Sequence, residues 1–354
     1  MKHMDNCKKR NFVVIYGFGY SGSGAVVDLL KEVNESVVYT SDAKYFGMRD
    51  VGGLVDLEHS LLDDWDLCKV SEAIERFLKL CERSCHSSRS FFSTYGMDYE
   101  KWFSKDFMKF SHSFIDELTD FRYYSYEHAY LLGHGYWEGL YSRASHLLDK
   151  KGSNLLPPVT DRPFFSQPTR EQYFEAAKRY ISNIYSTHPD CEYLVIDHHP
   201  LPVQQFERLK KYYGENTKMI VVDRDPRNIY CSLLKYRVKI GVEMARTHNI
   251  DQYVCYHRAL RKDLPQSPNI LYLRLEDFVL DYENTKERVF DFIGIKAVDH
   301  ITPKKYFDPA ISIKNLDIWR KYESKIPAGT FDKIKVRLAA DCFDLDNSKS
   351  VNIG

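Results

Sequence analysis

Residues 11–30 read NFVVIYGFGYSGSGAVVDLL: an apolar run, a glycine-rich turn, then a second apolar run at helical spacing. Gly17, Gly19 and Gly22 spell G-x-G-x-x-G directly after the first run, the pattern of a dinucleotide-binding turn. Gly17 and Gly22 also frame a loop of phosphate-cradling length, in which Ser21 and Ser23 put hydroxyls within reach of an anion. The stretch predicts strand, loop and helix. It leaves two ligands open, a redox dinucleotide or a nucleotide gripped by its 5′-phosphate.

Outward from this unit the same texture returns. Tyr193–Ile196, Met219–Val222 and Ile270–Leu273 are short apolar runs like Phe12–Tyr16, and a helical pattern follows each. Strand then helix, repeated, predicts an α/β fold: a three-layer arrangement with a mostly parallel sheet flanked by helices on both faces. Residues 50–190 differ. FFSTYGMDYEKWF, FRYYSYEHAY and GYWEGLY crowd aromatics together, and Pro157-Pro158 with TDRPFFSQPT marks a non-helical crossing. This stretch is expected to be a helical insertion within a single domain spanning 1–354, supplying both core and a wall for an acceptor.

Bulk composition narrows the classes. Lys plus Arg and Asp plus Glu number 50 each in 354 residues, so no net field favours nucleic acid. Hydrophobic residues make up 44%, enough for a sizeable core. No apolar window reaches bilayer length, and the apolar stretch after the basic start runs straight into the glycine loop, which argues against a cleaved leader. The eight cysteines contain no C-x-x-C pair, so reduced thiols and a cytoplasmic location are expected. No His/Cys/Asp spacing suggests a metal.

The rest of the chain decides between the two ligands. The dinucleotide reading has Asp42 as its ribose-binding acid, but nothing downstream supplies nicotinamide chemistry. A nucleoside triphosphate reading needs Lys directly after Gly22, where Ser23 stands. A loop of backbone amides with two serines still suits a single terminal phosphate. In KMIVVDRDPRNIYCSLLKYR a strand ends, Arg224 follows, Pro226 opens a helix, and Ser232 comes eight residues after Arg224. Arginine fork and serine hydroxyl can hold a second phosphate from two sides.

Together these motifs resemble the sulfotransferase family that uses 3′-phosphoadenosine 5′-phosphosulfate (PAPS). GFGYSGSGAVVDLL is similar to its 5′-phosphosulfate loop, R-D-P-R with the serine eight after Arg224 to its 3′-phosphate site, and LRLEDFVLDYENTKERVFDFIGI and SIKNLDIWRKY to its later stretches. The resemblance covers residues 11–42 and about 190–322, and not the aromatic insertion. It implies the P-loop-like sulfotransferase fold and PAPS as co-substrate without a metal. Gly19, Tyr20, Ser21, Gly22, Ser23, Gly24 and Ala25 would bind the 5′ end, with Arg224 and Ser232 on the 3′-phosphate. Lys314 and Arg320 would reach one of the anions from a late loop.

Two positions depart from the family. Members usually carry Lys or Arg where Tyr20 stands, and its work would fall to the Ser21–Ala25 amides, His198 or Lys314. The family's base-bearing element is IDHHPLP here, so the base lies among Asp197, His198 and His199. By spacing, His199 matches the family histidine. The acceptor is expected to be a small molecule or glycan, carbohydrate first, with a homodimer left open. A kinase-like enzyme with a degenerate loop and a non-catalytic nucleotide-binding protein stay as alternatives.

Overall fold

The computed structural model describes residues 10–85, 97–123, 163–197, 201–240 and 249–343, with isolated positions between 136 and 147; side chains are described only to residue 235 of the helix ending at 240. The strands are β1 (Asn11–Gly17), β2 (Val38–Ser41), β3 (Phe121–Arg122), β4 (Phe164–Phe165), β5 (Tyr193–Asp197), β6 (Lys218–Asp223) and β7 (Ile270–Arg274). The main sheet is five-stranded in the order β2-β5-β1-β6-β7, every pairing parallel. The four strands expected from sequence are all present. β2 is the addition: four residues at a sheet edge are too few to show alternation or a buried run.

Alternate residues explain how the sheet is held. Val13, Ile15, Val195, Ile220 and Val222 form one core with Val26, Val27, Leu29 and Leu30 of the helix after the glycine loop, and with helices 275–280 and 282–293. Val14, Leu194, Ile196, Met219 and Val221, of opposite parity, are equally buried. Apolar side chains buried to this degree contribute about 1.5–3 kcal/mol each, which is why these strands read as continuous apolar runs.

The chain divides into two compact units, one running Tyr45–His188 with Lys211–Tyr213, the other holding the sheet. Within the first, helices Leu54–Leu62, Leu67–Cys85, Phe107–Leu118 and Arg170–Ile184 surround an aromatic core of Tyr45, Phe77, Tyr99, Phe103, Phe107, Phe114, Tyr173 and Tyr180. The Tyr180 hydroxyl meets those of Tyr45 at 3.2 Å and Ser111 at 3.1 Å, so the polar tips are satisfied inside. β3 and β4 pair antiparallel, and residues 163–169 are non-helical. Pro157 and Pro158, with most of FRYYSYEHAY and GYWEGLY, lie outside the described residues. Cys81 and Cys85 share the helix Leu67–Cys85, and every described cysteine is free.

In the second unit a buried carboxylate fixes a loop that no motif announced. Glu32, fully buried, accepts the amides of Lys304 (3.0 Å), Tyr306 (2.9 Å) and Phe307 (2.9 Å), and meets His300 Nε2 at 2.8 Å. Burial alone would raise this carboxyl; the Phe307 amide, the His300 ring and the other two amides outweigh it and hold it below the ordinary glutamate value. Glu32→Gln is expected to lower folding stability at pH 7 by about 2–3 kcal/mol, the scale of hydrogen bonds to a buried charge. Because the folded value is depressed, this contribution is complete above the unfolded-state value near ~4.3 and disappears as pH falls through the folded one. Urea titrations at pH 7 and pH 3 check it: the gap between variant and wild type should narrow at the lower pH.

Candidate functional site

β1 ends at Gly17, and the chain turns through Phe18–Ser23 before the helix Gly24–Leu30 begins. Gly19, Tyr20 and Gly22 take φ values of 81°, 58° and 89°. Left-handed residues placed among right-handed ones rotate successive amides toward one side, the geometry of an anion nest. The amides of Ser21 through Gly24 find no backbone acceptor among the described residues. The Ser21 hydroxyl, 1% exposed, likewise has no hydrogen-bond partner there. A buried hydroxyl without an acceptor, beside unsatisfied amides, is the donor set an oxyanion completes. Gly22 is demanded twice over, since a Cβ there would lie 2.6 Å from Leu275 Cδ2 in addition to its left-handed backbone.

The second element is assembled around Arg224. β6 delivers it at its carboxyl end, 6% exposed. Its Nη1 donates to Ser232 Oγ at 3.3 Å and to the Tyr20 carbonyl at 3.4 Å, and Nη2 donates to the Asn315 carbonyl. Ser232 Oγ in turn donates to the Asn228 carbonyl at 2.9 Å. Arg224 Nε is buried without a partner among the described residues. Burial pulls this guanidinium below its ordinary value, with Glu276 and Asp225 acting in the opposite direction. It stays charged at neutral pH. One cation therefore touches the glycine loop, the serine eight residues on, and the late segment.

Other residues that hold this geometry were not singled out from sequence. Asp223 Oδ1 accepts the Arg224 amide at 2.7 Å, and Arg261 grips both Asp223 oxygens at 2.8 and 2.5 Å while lying 4.2 Å from the centre of the Phe18 ring. Asp225 and Arg227 form a buried bidentate pair, and Arg227 also donates to the Phe343 carbonyl and stacks 4.4 Å over Trp319. The second arginine of R-D-P-R is thus a framework group. Glu276 accepts the Asp225 amide at 2.9 Å from a fully buried position. Arg261 and Asp223 stand 38 residues apart and Glu276 and Asp225 51 apart, so no local spacing pairs them, whereas Asp225 and Arg227 are neighbours within R-D-P-R.

Asp197 stands at the carboxyl end of β5, opposite Ile15 of β1, with Lys44 Nζ 3.7 Å from its Oδ2. His198 and His199 lie outside the described residues. Lys314 is exposed in the turn Ile313–Asn315, next to the carbonyl that Arg224 engages. Arg320 is exposed and pairs with Asp317 at 3.4 Å. Asp42, the acid of the dinucleotide reading, is largely exposed and sits 3.8 Å from Lys31. The fold therefore gathers the glycine loop, Asp197 and Arg224 on the carboxyl edge of β1, β5 and β6, where the strand order reverses and α/β sheets bind ligands.

Residues 141–299 match the model of the sulfotransferase family. That stretch, under half of the chain, carries β5, β6 and β7 with Arg224 and Ser232. The match reaches back into the aromatic stretch, further than the motif resemblance did, while the glycine loop lies outside it. No curated protein matches the chain. Among solved structures, the sulfotransferase domain of the Synechococcus PCC 7002 olefin synthase is similar at 14% identity and a TM-score of 0.38, covering 98% of this chain and 99% of that one. A sulfotransferase domain from the curacin biosynthetic pathway is similar at 13% identity and 0.40, covering 93% and 98%. Retinol dehydratase, solved with androsterone and the inactive cofactor PAP, is similar at 14% and 0.35, covering 97% and 84%.

The loop separates two glycines cleanly. Gly22→Ala is expected to weaken binding of an adenosine bisphosphate at least tenfold and to lower stability by about 1–3 kcal/mol, through strain and the Leu275 contact. Gly24→Ala, whose added methyl meets nothing within 4 Å, should be close to neutral in stability. Thermal melts and calorimetry on the two variants compare them directly.

Proposed function

We propose that this chain moves the sulfuryl group of PAPS onto the hydroxyl of an acceptor by in-line displacement. The observation that carries the reading is the bridge from Arg224 to both the Tyr20 carbonyl and Ser232 Oγ. It brings the glycine loop and the arginine–serine pair together, which supports reading them as two sides of one site for the two ends of one small molecule. The loop amides, Ser21 and Ser23 would hold the 5′-phosphate as it becomes the leaving group. Arg224 and Ser232 would hold the 3′-phosphate, with Lys314 entering from the late turn. A base within Asp197–His199 would accept the hydroxyl proton; such a group is ordinarily worth about 10²- to 10⁴-fold in rate.

The acceptor in this reading is a carbohydrate. Supporting it are Trp65, Trp102, Tyr136 and Trp137, exposed aromatic rings among the described residues between the glycine loop and β5. Flat aromatic faces suit the apolar faces of sugar rings.

Calorimetry with 3′-phosphoadenosine 5′-phosphate, ADP and NAD tests the donor. The bisphosphate alone should bind tightly. Arg224→Ala should cost about 100-fold in its affinity and Ser232→Ala about tenfold, as expected for lost charge-assisted and neutral hydrogen bonds. Equal binding of ADP, or unchanged affinity in Arg224→Ala, would sink the assignment.

A further inference from the structure

A donor carrying two phosphate groups and a sulfate needs positive charge at the point of transfer, and the glycine loop offers none. Residues 17–25 contain no Lys or Arg. The remaining strand ends narrow the source. β6 leads to Arg224, whose Nη groups are engaged by Tyr20, Ser232 and Asn315. β7 ends at Arg274, which donates to the Asp341 carbonyl and lies 3.9 Å from Glu276. β5 ends in an acid, Asp197. β2 is followed, three residues past Ser41, by Lys44.

Register places Lys44 on the same edge. Ser41 is opposite Ile196 on β5, and Asp197 is opposite Ile15 on β1, two residues before the loop. Strand spacing and rise put the Asp197 and Gly17 Cα atoms about 8 Å apart. Lys44 Nζ already stands 3.7 Å from Asp197 Oδ2, and its four-carbon stem gives it reach along this edge. The pair is long, and the lysine side chain is 37% exposed, so the contact restrains the ammonium weakly. Lys31 is occupied elsewhere, between Asp28 at 3.9 Å and Asp42 at 3.8 Å.

From this placement we infer that Lys44 is the transfer-site cation, leaving Asp197 for the sulfate and bridging oxygen when donor binds. The inference rests on the sulfuryl-transfer reading above. In the step it serves, the acceptor oxygen forms a bond to sulfur and the bond from sulfur to the 5′-phosphate oxygen breaks. The electron pair stays on that phosphate oxygen, facing the Lys44 ammonium. The hydroxyl proton passes to the base at the end of β5. Lys44 stays protonated throughout, and its charge does the work the loop lacks.

The test compares Lys44→Ala, Lys44→Arg and the double variant Tyr20→Lys/Lys44→Ala with wild type. Readouts are affinity for PAPS and for its sulfate-free product, and transfer of labelled sulfate to a panel of glycans and alcohols. Lys44→Ala should leave product affinity within threefold, weaken PAPS about tenfold and lower turnover about 100-fold. Lys44→Arg should keep much of the activity, and Tyr20→Lys should restore at least a tenth of it in the Lys44→Ala background. Turnover of Lys44→Ala within threefold of wild type overturns the inference. So does a loss that neither Lys44→Arg nor Tyr20→Lys relieves, since the lysine would then be structural. A wild-type protein that binds no bisphosphate removes the functional reading itself, a different and separately visible failure.

Discussion

The buried guanidinium of Arg224 is the constraint on which the site turns. It lies at the end of the strand beside β1, and three segments far apart in sequence send acceptors to it: the Tyr20 carbonyl, Ser232 and the Asn315 carbonyl. A charge taken so far out of water is costly unless polar groups surround it. Here the backbone supplies them, and that requirement fixes where the glycine loop and the late turn come to rest. Tyr20 shows the cost of the arrangement. It is a non-glycine residue held in a left-handed conformation, kept there by the arginine on its carbonyl and by packing against the Ile229–Leu338 cluster.

Around that cation the framework charges are already spoken for. Asp225 is closed by Arg227 and the Phe343 amide, and Asp223 by Arg261 and the Arg224 amide. Asn228 fastens the late segment through the Leu316 carbonyl and the Trp319 amide, while Glu32 anchors the 300–307 loop that leads into it. Among the described residues, Arg224 Nε and the Ser21 hydroxyl nevertheless remain buried without a hydrogen-bond partner, as do Arg274 Nε and the Tyr282 hydroxyl. In a site of this kind the missing acceptors are those of an anion.

Much of this was legible in the sequence because it is local. Phe12–Tyr16, Tyr193–Ile196, Met219–Val222 and Ile270–Leu273 announce themselves by burial on both faces, and the loop by glycines whose backbone no other residue adopts easily. Arg224 and Ser232 lie two helical turns apart, so spacing alone puts them together. The remainder was hidden for definite reasons. β2 is too short for any periodicity to rise above chance. Arg261 with Asp223 and Glu32 with the 304–307 amides join residues 38 and more than 270 positions apart, one of them through backbone donors that carry no sequence signature. The aromatics of the 50–190 stretch pattern equally well as core or as ligand wall, and composition cannot divide buried Tyr180 from exposed Trp102.

The absence of a loop lysine bears on which group is transferred. A terminal γ-phosphate brings close to two negative charges beside a third on the β-phosphate, and enzymes that move it gather a lysine and a divalent ion at the loop. A terminal sulfate bears a single charge, and the phosphate bridging it to the ribose bears one more. The demand for cations at the reacting end falls accordingly, to a level that neutral amides, two serine hydroxyls and a single lysine can meet. The heavier charge of such a donor sits at the 3′-phosphate, which in the proposed reading the buried Arg224 would meet. In that reading cation strength would run opposite to its order in a triphosphate site: strongest at the nucleoside end, lightest where the bond breaks. The proposed roles of Ser23, Lys44 and Arg224 follow that gradient, which is the physical reason a loop without lysine would suit sulfuryl transfer better than phosphoryl transfer.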